Sequence, residues 1–159
     1  MGVLNIKGGI TMEQLSTNNF NNIILNNDKL AIKQIIDLNE LTNKRNLILT
    51  EKQAISLINN RDNNLKELGR IEVGSGILDK IIYEFYDSPY IDNDNYLETL
   101  EAITDVFYFY QSELDHKLTD EQILKYIKKQ FDGDCAGSIE LLENKSLDNL
   151  KNNKGQFYE

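Results

Sequence analysis

The chain has 159 residues, 40% of them hydrophobic and 27% charged, and its formal charge is −9. This composition excludes general disorder, and the length suits a single domain that buries a proper core. Because no apolar run approaches the roughly 18 residues of a membrane helix, and Cys135 is the single cysteine, we expect a cytoplasmic protein without membrane spans or disulfides.

The two ends of the chain are predicted to lie outside the folded domain. Lys7-Gly8-Gly9 is what the bacterial ribosome-binding string AAAGGAGG would encode just ahead of Met12, so residues 1–11 are expected to be a translated leader or a disordered terminus. Residues 12–27 mix apolar side chains with many asparagines, which predicts an irregular segment or a short helix. Residues 152–159 are predicted to form a tail.

Between these ends, apolar side chains recur at helical spacing, so 28–151 is predicted to be one helical domain. The first helix is predicted over 28–42. Thr50 and Gln53 have the spacing of a capping box, which indicates the start of a second helix. Gly69 follows the last apolar residue of that helix and is predicted to end it.

The segment 70–76 is the one interruption that fits a short strand, near 70–73, and a loop is the preferred interpretation. A helix over 77–87 follows and ends before Pro89, because proline moves the preceding residue out of the helical region. The next helix is predicted to begin near 93–95. Its apolar side chains alternate steps of four and three residues: Tyr96, Leu100, Ile103, Phe107, Tyr110 and Leu114.

Thr119 and Gln122 repeat the capping box and indicate a helix that continues to Gly133. A last helical segment is predicted over 138–151. About six helices joined by short polar turns define an all-α, single-domain bundle.

Residues 72–115 concentrate the charge of the chain and most of its aromatic side chains. They hold eleven acidic residues against one basic residue, Lys80, and nine of the fourteen aromatic residues. The charge of this stretch is therefore −10, which leaves +1 for the rest of the chain. A local field of one sign attracts basic partners and repels nucleic acid, so no nucleic-acid binding is expected.

Four aromatic residues stand in a row from Phe107 to Tyr110, and one helix cannot bury all four against a single neighbour. Either this helix is central, or one or two rings are exposed. Exposed rings among carboxylates favour protein contact, because aromatic residues supply much of the binding energy of interfaces and carboxylates steer a basic partner.

We therefore predict a non-enzymatic protein-interaction module that uses the acidic, aromatic-rich surface of 77–115 to bind a protein with a basic surface. The residues of this surface are predicted to be Tyr83, Tyr86, Glu98, Glu101, Asp105, Tyr108 and Phe109. Two alternatives stay open: a core helix pair whose outer faces happen to be acidic, and an imitation of the phosphate spacing of DNA.

Residues 132–143 resemble an EF-hand calcium loop. Residue types match at loop positions 1, 3, 6 and 12: Asp132, Asp134, Gly137 and Glu143. Ala136 at position 5 supplies no side-chain ligand, and a second loop to pair with this one is missing. The segment predicts either a weak calcium site with the ligands Asp132, Asp134 and Glu143, or a turn in which Gly133 ends one helix and Ser138 caps the next.

Two further sets of polar side chains carry hypotheses. Cys135 precedes a predicted helix start, where the helix dipole would lower the pKa of a thiol, and with His116 it suggests a thiol enzyme; the alternative is an inert, partly buried thiol. Arg70, Glu72 and Asp87 flank the central loop and are expected to form a charged network that pins the bundle, or a small polar pocket.

Three segments of the chain resemble an uncharacterised protein family of clostridia-like bacteria: Gly69–Glu72, Asp87–Ile91 and Cys135–Leu142. The resemblance covers residues 28–150 and implies a bacterial protein. It transfers no functional residues, because that family has no assigned activity. Its members often carry acidic residues near the position of Cys135 without a full calcium loop, which weakens the EF-hand interpretation.

Overall fold

The computed structural model describes residues 28–145 together with 147 and 150, and within these residues it is all-helical, with no strand. The predicted leader, the segment 12–27 and the tail 152–159 lie outside the described residues. The helices are α1 (28–37), α2 (Asn39–Thr42), α3 (Glu51–Glu67), α4 (Ile77–Phe85), α5 (Tyr96–Glu113), α6 (Asp120–Asp132) and α7 (Ile139–Glu143), and a 3-10 turn, Asn43–Arg45, follows α2. The prediction of an all-α, single-domain protein is confirmed, and 70–76 is a loop.

The helix predicted over 28–42 is interrupted at Leu38, which lies in a turn between α1 and α2. Next to this turn, the Asn39 side chain exchanges two hydrogen bonds with the backbone of Leu49: its amide donates at 2.9 Å and its carbonyl accepts at 3.0 Å. Asparagine side chains that bond backbone groups compete with regular helix, which accounts for the break. The same bonds fix the extended segment that leads into α3.

Both predicted capping boxes are present. The Thr50 hydroxyl accepts a hydrogen bond from the backbone amide of Gln53 at the start of α3, and Thr119 accepts one from Gln122 in the same way at the start of α6. Each glutamine side-chain oxygen in turn accepts a hydrogen bond from the backbone amide of the capping threonine. At the other end of α3, Gly69 has a φ of 67°, a left-handed conformation that glycine adopts without strain. The stop predicted there is confirmed.

Helix α5 is the centre of the bundle, because it packs against α3, α4, α6 and α7. All six side chains of its predicted apolar stripe are buried. Tyr108 is buried as well, while Phe109 is 53% exposed, so the helix is central and one ring of the aromatic run still faces solvent. Tyr110 also anchors α7, since its hydroxyl donates a hydrogen bond to the Leu142 carbonyl oxygen at 2.8 Å.

The loop between α3 and α4 is held by Arg61, whose side chain is 2% exposed. Its guanidinium donates to the backbone carbonyl oxygens of Gly74 and Ser75 and to the Glu72 carboxylate, each at 3.0 Å, and to the Asp62 carboxylate at 2.6 Å. A buried arginine is tolerated when its donors are satisfied, and here two carboxylates and two carbonyls satisfy them. This set of contacts is called the Arg61 node below.

The Arg61 node also determines where α4 begins. The Glu72 oxygen that binds Arg61 accepts a second hydrogen bond, at 3.1 Å, from the backbone amide of Ile77, the first residue of α4. A carboxylate at a helix N-terminus satisfies an amide that lacks a partner within the helix and complements the helix dipole. The node therefore joins α3, the loop and α4.

The prediction that Arg70, Glu72 and Asp87 form one charged network is wrong, because these three residues bind different partners. Arg70 donates instead to the Gln111 side chain at 2.8 Å, and Asp87 pairs with Lys128 at 2.7 Å. Only Glu72 belongs to the buried charge cluster, whose centre is Arg61.

Candidate functional site

The candidate site is the outer face of α5, formed by Glu98, Glu101, Asp105 and Phe109. These residues follow one another at spacings of three or four, which places them on one side of the helix. Glu98 and Asp105 are exposed, Glu101 is half-buried, and the Phe109 ring is 53% exposed. The structure therefore brings four of the seven predicted surface residues together.

Two of these carboxylates are held in place by neutral side chains of α3. Ser56 donates to Glu101 at 2.7 Å, and Asp105 accepts from the side-chain amides of Asn60 at 3.2 Å and Asn64 at 2.8 Å. Residues 56, 60 and 64 of α3 repeat every four positions, so they form a row that faces the matching row on α5. Hydroxyl and amide donors fix the orientation of a carboxylate without cancelling its charge.

No lysine or arginine in the described part of the chain forms an ion pair with Glu98, Glu101 or Asp105. Asp87, two residues after α4, differs, because α6 supplies a lysine to it. Asp87 and Asp132 share Lys128, at 2.7 and 3.3 Å. Within the acidic stretch, Glu72 and Asp87 are thus held in ion pairs, whereas the carboxylates on the outer face of α5 are not.

The predicted aromatic residues divide in a similar way. Tyr83 is 66% exposed and lies on α4, where its ring meets the half-buried ring of Tyr86 edge-on at 6.3 Å between centroids. Tyr83 lines a groove between α4 and α6, whereas Phe109 belongs to the outer face of α5. Among the residues predicted to form the surface, Tyr83 therefore lies on α4 and Phe109 on α5.

Tyr108 is the exception among the predicted surface residues, because it is 3% exposed. It points toward the Arg61 node: burial raises the pKa of its hydroxyl far above the ordinary value, and the neighbouring Glu72 carboxylate adds to the rise, while Arg61 and Arg70 oppose it. Tyr108 therefore packs in the interior and offers no contact to a partner.

The residues predicted to bind calcium are not gathered into a ligand set. Asp132 accepts a hydrogen bond from the Ser88 hydroxyl at 2.7 Å and pairs with Lys128, and the 83% exposed Asp134 pairs with Lys145 at 3.4 Å. Among the residues that the structure describes, no group of three or more histidine, cysteine or acidic side chains lies close enough together to hold a metal ion, so Glu143 does not complete a site.

The backbone of this segment follows the alternative that the sequence left open, a turn between two helices. Gly133 is the C-cap of α6. Ser138 is the N-cap of α7, and its hydroxyl accepts a hydrogen bond from the backbone amide of Leu141 at 3.2 Å. Between them, Gly137 donates to the Phe131 carbonyl oxygen at 2.7 Å with a φ of 83°. The EF-hand resemblance is thus a resemblance in residue types rather than in backbone path.

Calcium is expected to leave the stability of the protein unchanged. Any ligand that binds only the native state must raise its melting temperature, and Asp132 and Asp134 already face lysines. Thermal melting with and without millimolar calcium tests this, with Asp132→Asn as the matched variant. A rise in melting temperature that Asp132→Asn abolishes would restore the calcium site.

Cys135 is a buried thiol, 1% exposed, and burial raises its pKa, with Lys145 opposing and Asp134 adding to the rise. The expectation that a helix dipole would lower this pKa is wrong, because Cys135 lies in the turn that ends α6, three residues before the Ser138 cap of α7. His116 is exposed beyond the end of α5. A thiol with a raised pKa is a poor nucleophile near neutral pH.

Cys135 is expected to react slowly with a maleimide near neutral pH. In the folded protein the rate should be at least about tenfold lower than in the urea-unfolded protein, because the thiol is covered and protonated. Mass spectrometry of timed samples measures both rates, and Cys135→Ser gives the background. Equal rates in the two states would contradict the buried, inert thiol.

These features define a small all-helical domain with an unpaired acidic face and, among the described residues, no helix long and apolar enough to cross a membrane. The chain belongs to a family of unknown function, DUF6323, whose model matches residues 34–158. The resemblance to an uncharacterised family is therefore confirmed. No curated protein and no solved structure matches the chain.

Proposed function

We propose that the protein is a non-enzymatic interaction module that binds a protein with a basic surface through the outer face of α5. The observation that supports this most strongly is the set of carboxylates Glu98, Glu101 and Asp105, which meet no lysine or arginine within the described residues. Unpaired charges of one sign on a single helix face attract a complementary partner from a distance and fix its register.

The row of donors on α3 favours binding. Carboxylates that are already oriented by Ser56, Asn60 and Asn64 lose less side-chain freedom when a partner docks. Their charge stays available, because the donors are neutral. A partner lysine or arginine would thus meet acidic groups in fixed positions.

Phe109 supplies the apolar part of the proposed interface. A ring that is 53% exposed among carboxylates gains from burial against a partner, and aromatic residues dominate the energetically important positions of interfaces. The flanking carboxylates would then form the polar rim. A cytoplasmic location is part of the proposal, and the single cysteine supports it.

The test is capture of a partner from a lysate of the native host by immobilised protein, followed by an affinity measurement with the purified partner. The variant Glu98→Gln/Glu101→Gln/Asp105→Asn removes the charges but keeps acceptors for the α3 donors, so the fold is retained. The captured partner should be basic, and the variant should weaken its binding about tenfold, since three rim charges contribute about 1.4 kcal/mol together.

The matched control is Glu40→Gln/Glu67→Gln/Glu140→Gln, which changes net charge equally at three exposed carboxylates on other helices. This control should bind as the wild type does. If both variants weaken binding of the partner equally, the face of α5 is not the interface. Capture of an acidic partner would lead to the same conclusion.

A further inference from the structure

A groove of about 390 Å³ lies between α4 and α6 and is distinct from the outer face of α5. Its lining includes Leu38, Asp79, Lys80, Tyr83, Glu84 and Leu124. Leu38 closes one side because the chain turns there between α1 and α2, and Leu124 contributes from α6. The volume falls in the range of sites that hold a small ligand or a single large side chain.

The Tyr83 ring is the main apolar surface of this groove. It is 66% exposed, and it meets the Tyr86 ring edge-on. An exposed aromatic ring offers its face to a flat or cationic group. The leucines would cover an aliphatic stem next to it.

The charges of the groove leave acidic groups without partners. Lys80 and Glu121 compensate each other in an ion pair at 2.7 Å. Asp79 and Glu84, one on each side of Tyr83 along α4, form no ion pair within the described part of the chain. One oxygen of Asp79 is covered by protein and accepts no hydrogen bond from the described residues.

An unpaired, partly covered carboxylate is costly, and the charge of a cation held nearby would reduce that cost. Lys125, on the α6 side, is the opposing charge in the lining. Because the two carboxylates of Asp79 and Glu84 outnumber this one lysine, the groove favours a cationic ligand over an anionic one. A purely apolar occupant would leave Asp79 without a partner and is disfavoured for the same reason.

The fold already holds one cation in a comparable arrangement. Lys128 of α6 lies over the Phe85 ring at 5.9 Å and pairs with the carboxylates of Asp87 and Asp132. Its pKa is raised: burial opposes the charge, but the bonds to Asp87 and Asp132 outweigh that opposition. In the groove, the Tyr83 ring, Asp79 and Glu84 provide the same three elements, a ring and two carboxylates, and neither carboxylate forms an ion pair within the described residues.

We propose that the groove receives an arginine side chain of the protein partner, with the guanidinium stacked on Tyr83 and directed toward Asp79 and Glu84. Arginine fits better than lysine because its planar group stacks on aromatic rings, is weakly hydrated and offers five donors. The inference rests on the proposed function for the source of the arginine. It adds a second contact region, on α4 and α6, to the face of α5.

The test uses two blocked peptides, acetyl-Gly-Leu-Arg-Leu-Gly-amide and the same peptide with citrulline in place of arginine. Citrulline keeps the shape and removes the charge. Isothermal titration and two-dimensional amide NMR of the full chain should show at least about fivefold tighter binding of the arginine peptide, with shifts at α4 and α6. Tyr83→Ala and Asp79→Asn should each weaken that binding about fivefold.

The matched control is Phe109→Ala, which removes an exposed ring outside the groove and should leave peptide affinity unchanged. The triple variant of the α5 face should leave it unchanged as well, so a failure of the groove and a failure of the proposed function give different results. Absence of arginine-peptide binding, equal binding of both peptides, or shifts confined to α5 would overturn the inference.

Discussion

The contacts of Arg61 are the constraint on which the arrangement of this bundle depends. One buried guanidinium binds the loop after α3 through Gly74, Ser75 and Glu72, and Glu72 in turn caps α4. Once α3 and α4 are joined in this way, α5 packs between them with Tyr108 against the node. Ser56, Asn60 and Asn64 of α3 then face Glu101 and Asp105, and the charged side of α5 is turned to solvent.

Helix periods and capping signals could be predicted from the sequence because they are local. The capping boxes at Thr50 and Thr119 and the glycine stop at Gly69 depend on residues within one turn of each other. Arg61 was missed, although a signal existed: it stands four positions after Leu57 and three after Ile58, within the buried stripe of α3. A charged residue at a core position indicates a buried partner, but the partner's identity depends on tertiary contacts.

The candidate site was predictable only in part for the same reason. The sequence concentrated acidic residues over 72–115, yet the distinction between paired and unpaired carboxylates depends on residues that lie more than forty positions away, such as Lys128 for Asp87 and Asn64 for Asp105. The burial of Tyr108 beside the exposed Phe109 likewise follows from the packing of α3 and the loop on α5. The charge composition thus predicted a negative electrostatic field, and the tertiary contacts determine which carboxylates produce it.

The free energy of unfolding of Arg61→Met, measured by urea denaturation, tests the dependence of this fold on the Arg61 node most directly. Removing one partner of a buried, hydrogen-bonded charge cluster should lower that free energy by about 3–5 kcal/mol, and Arg45→Met, at an exposed arginine of the 3-10 turn, should change it by less than about 0.5 kcal/mol. If the two variants are equally stable, the loop and α4 are held by other contacts, and the account of why the acidic face of α5 points outward is wrong.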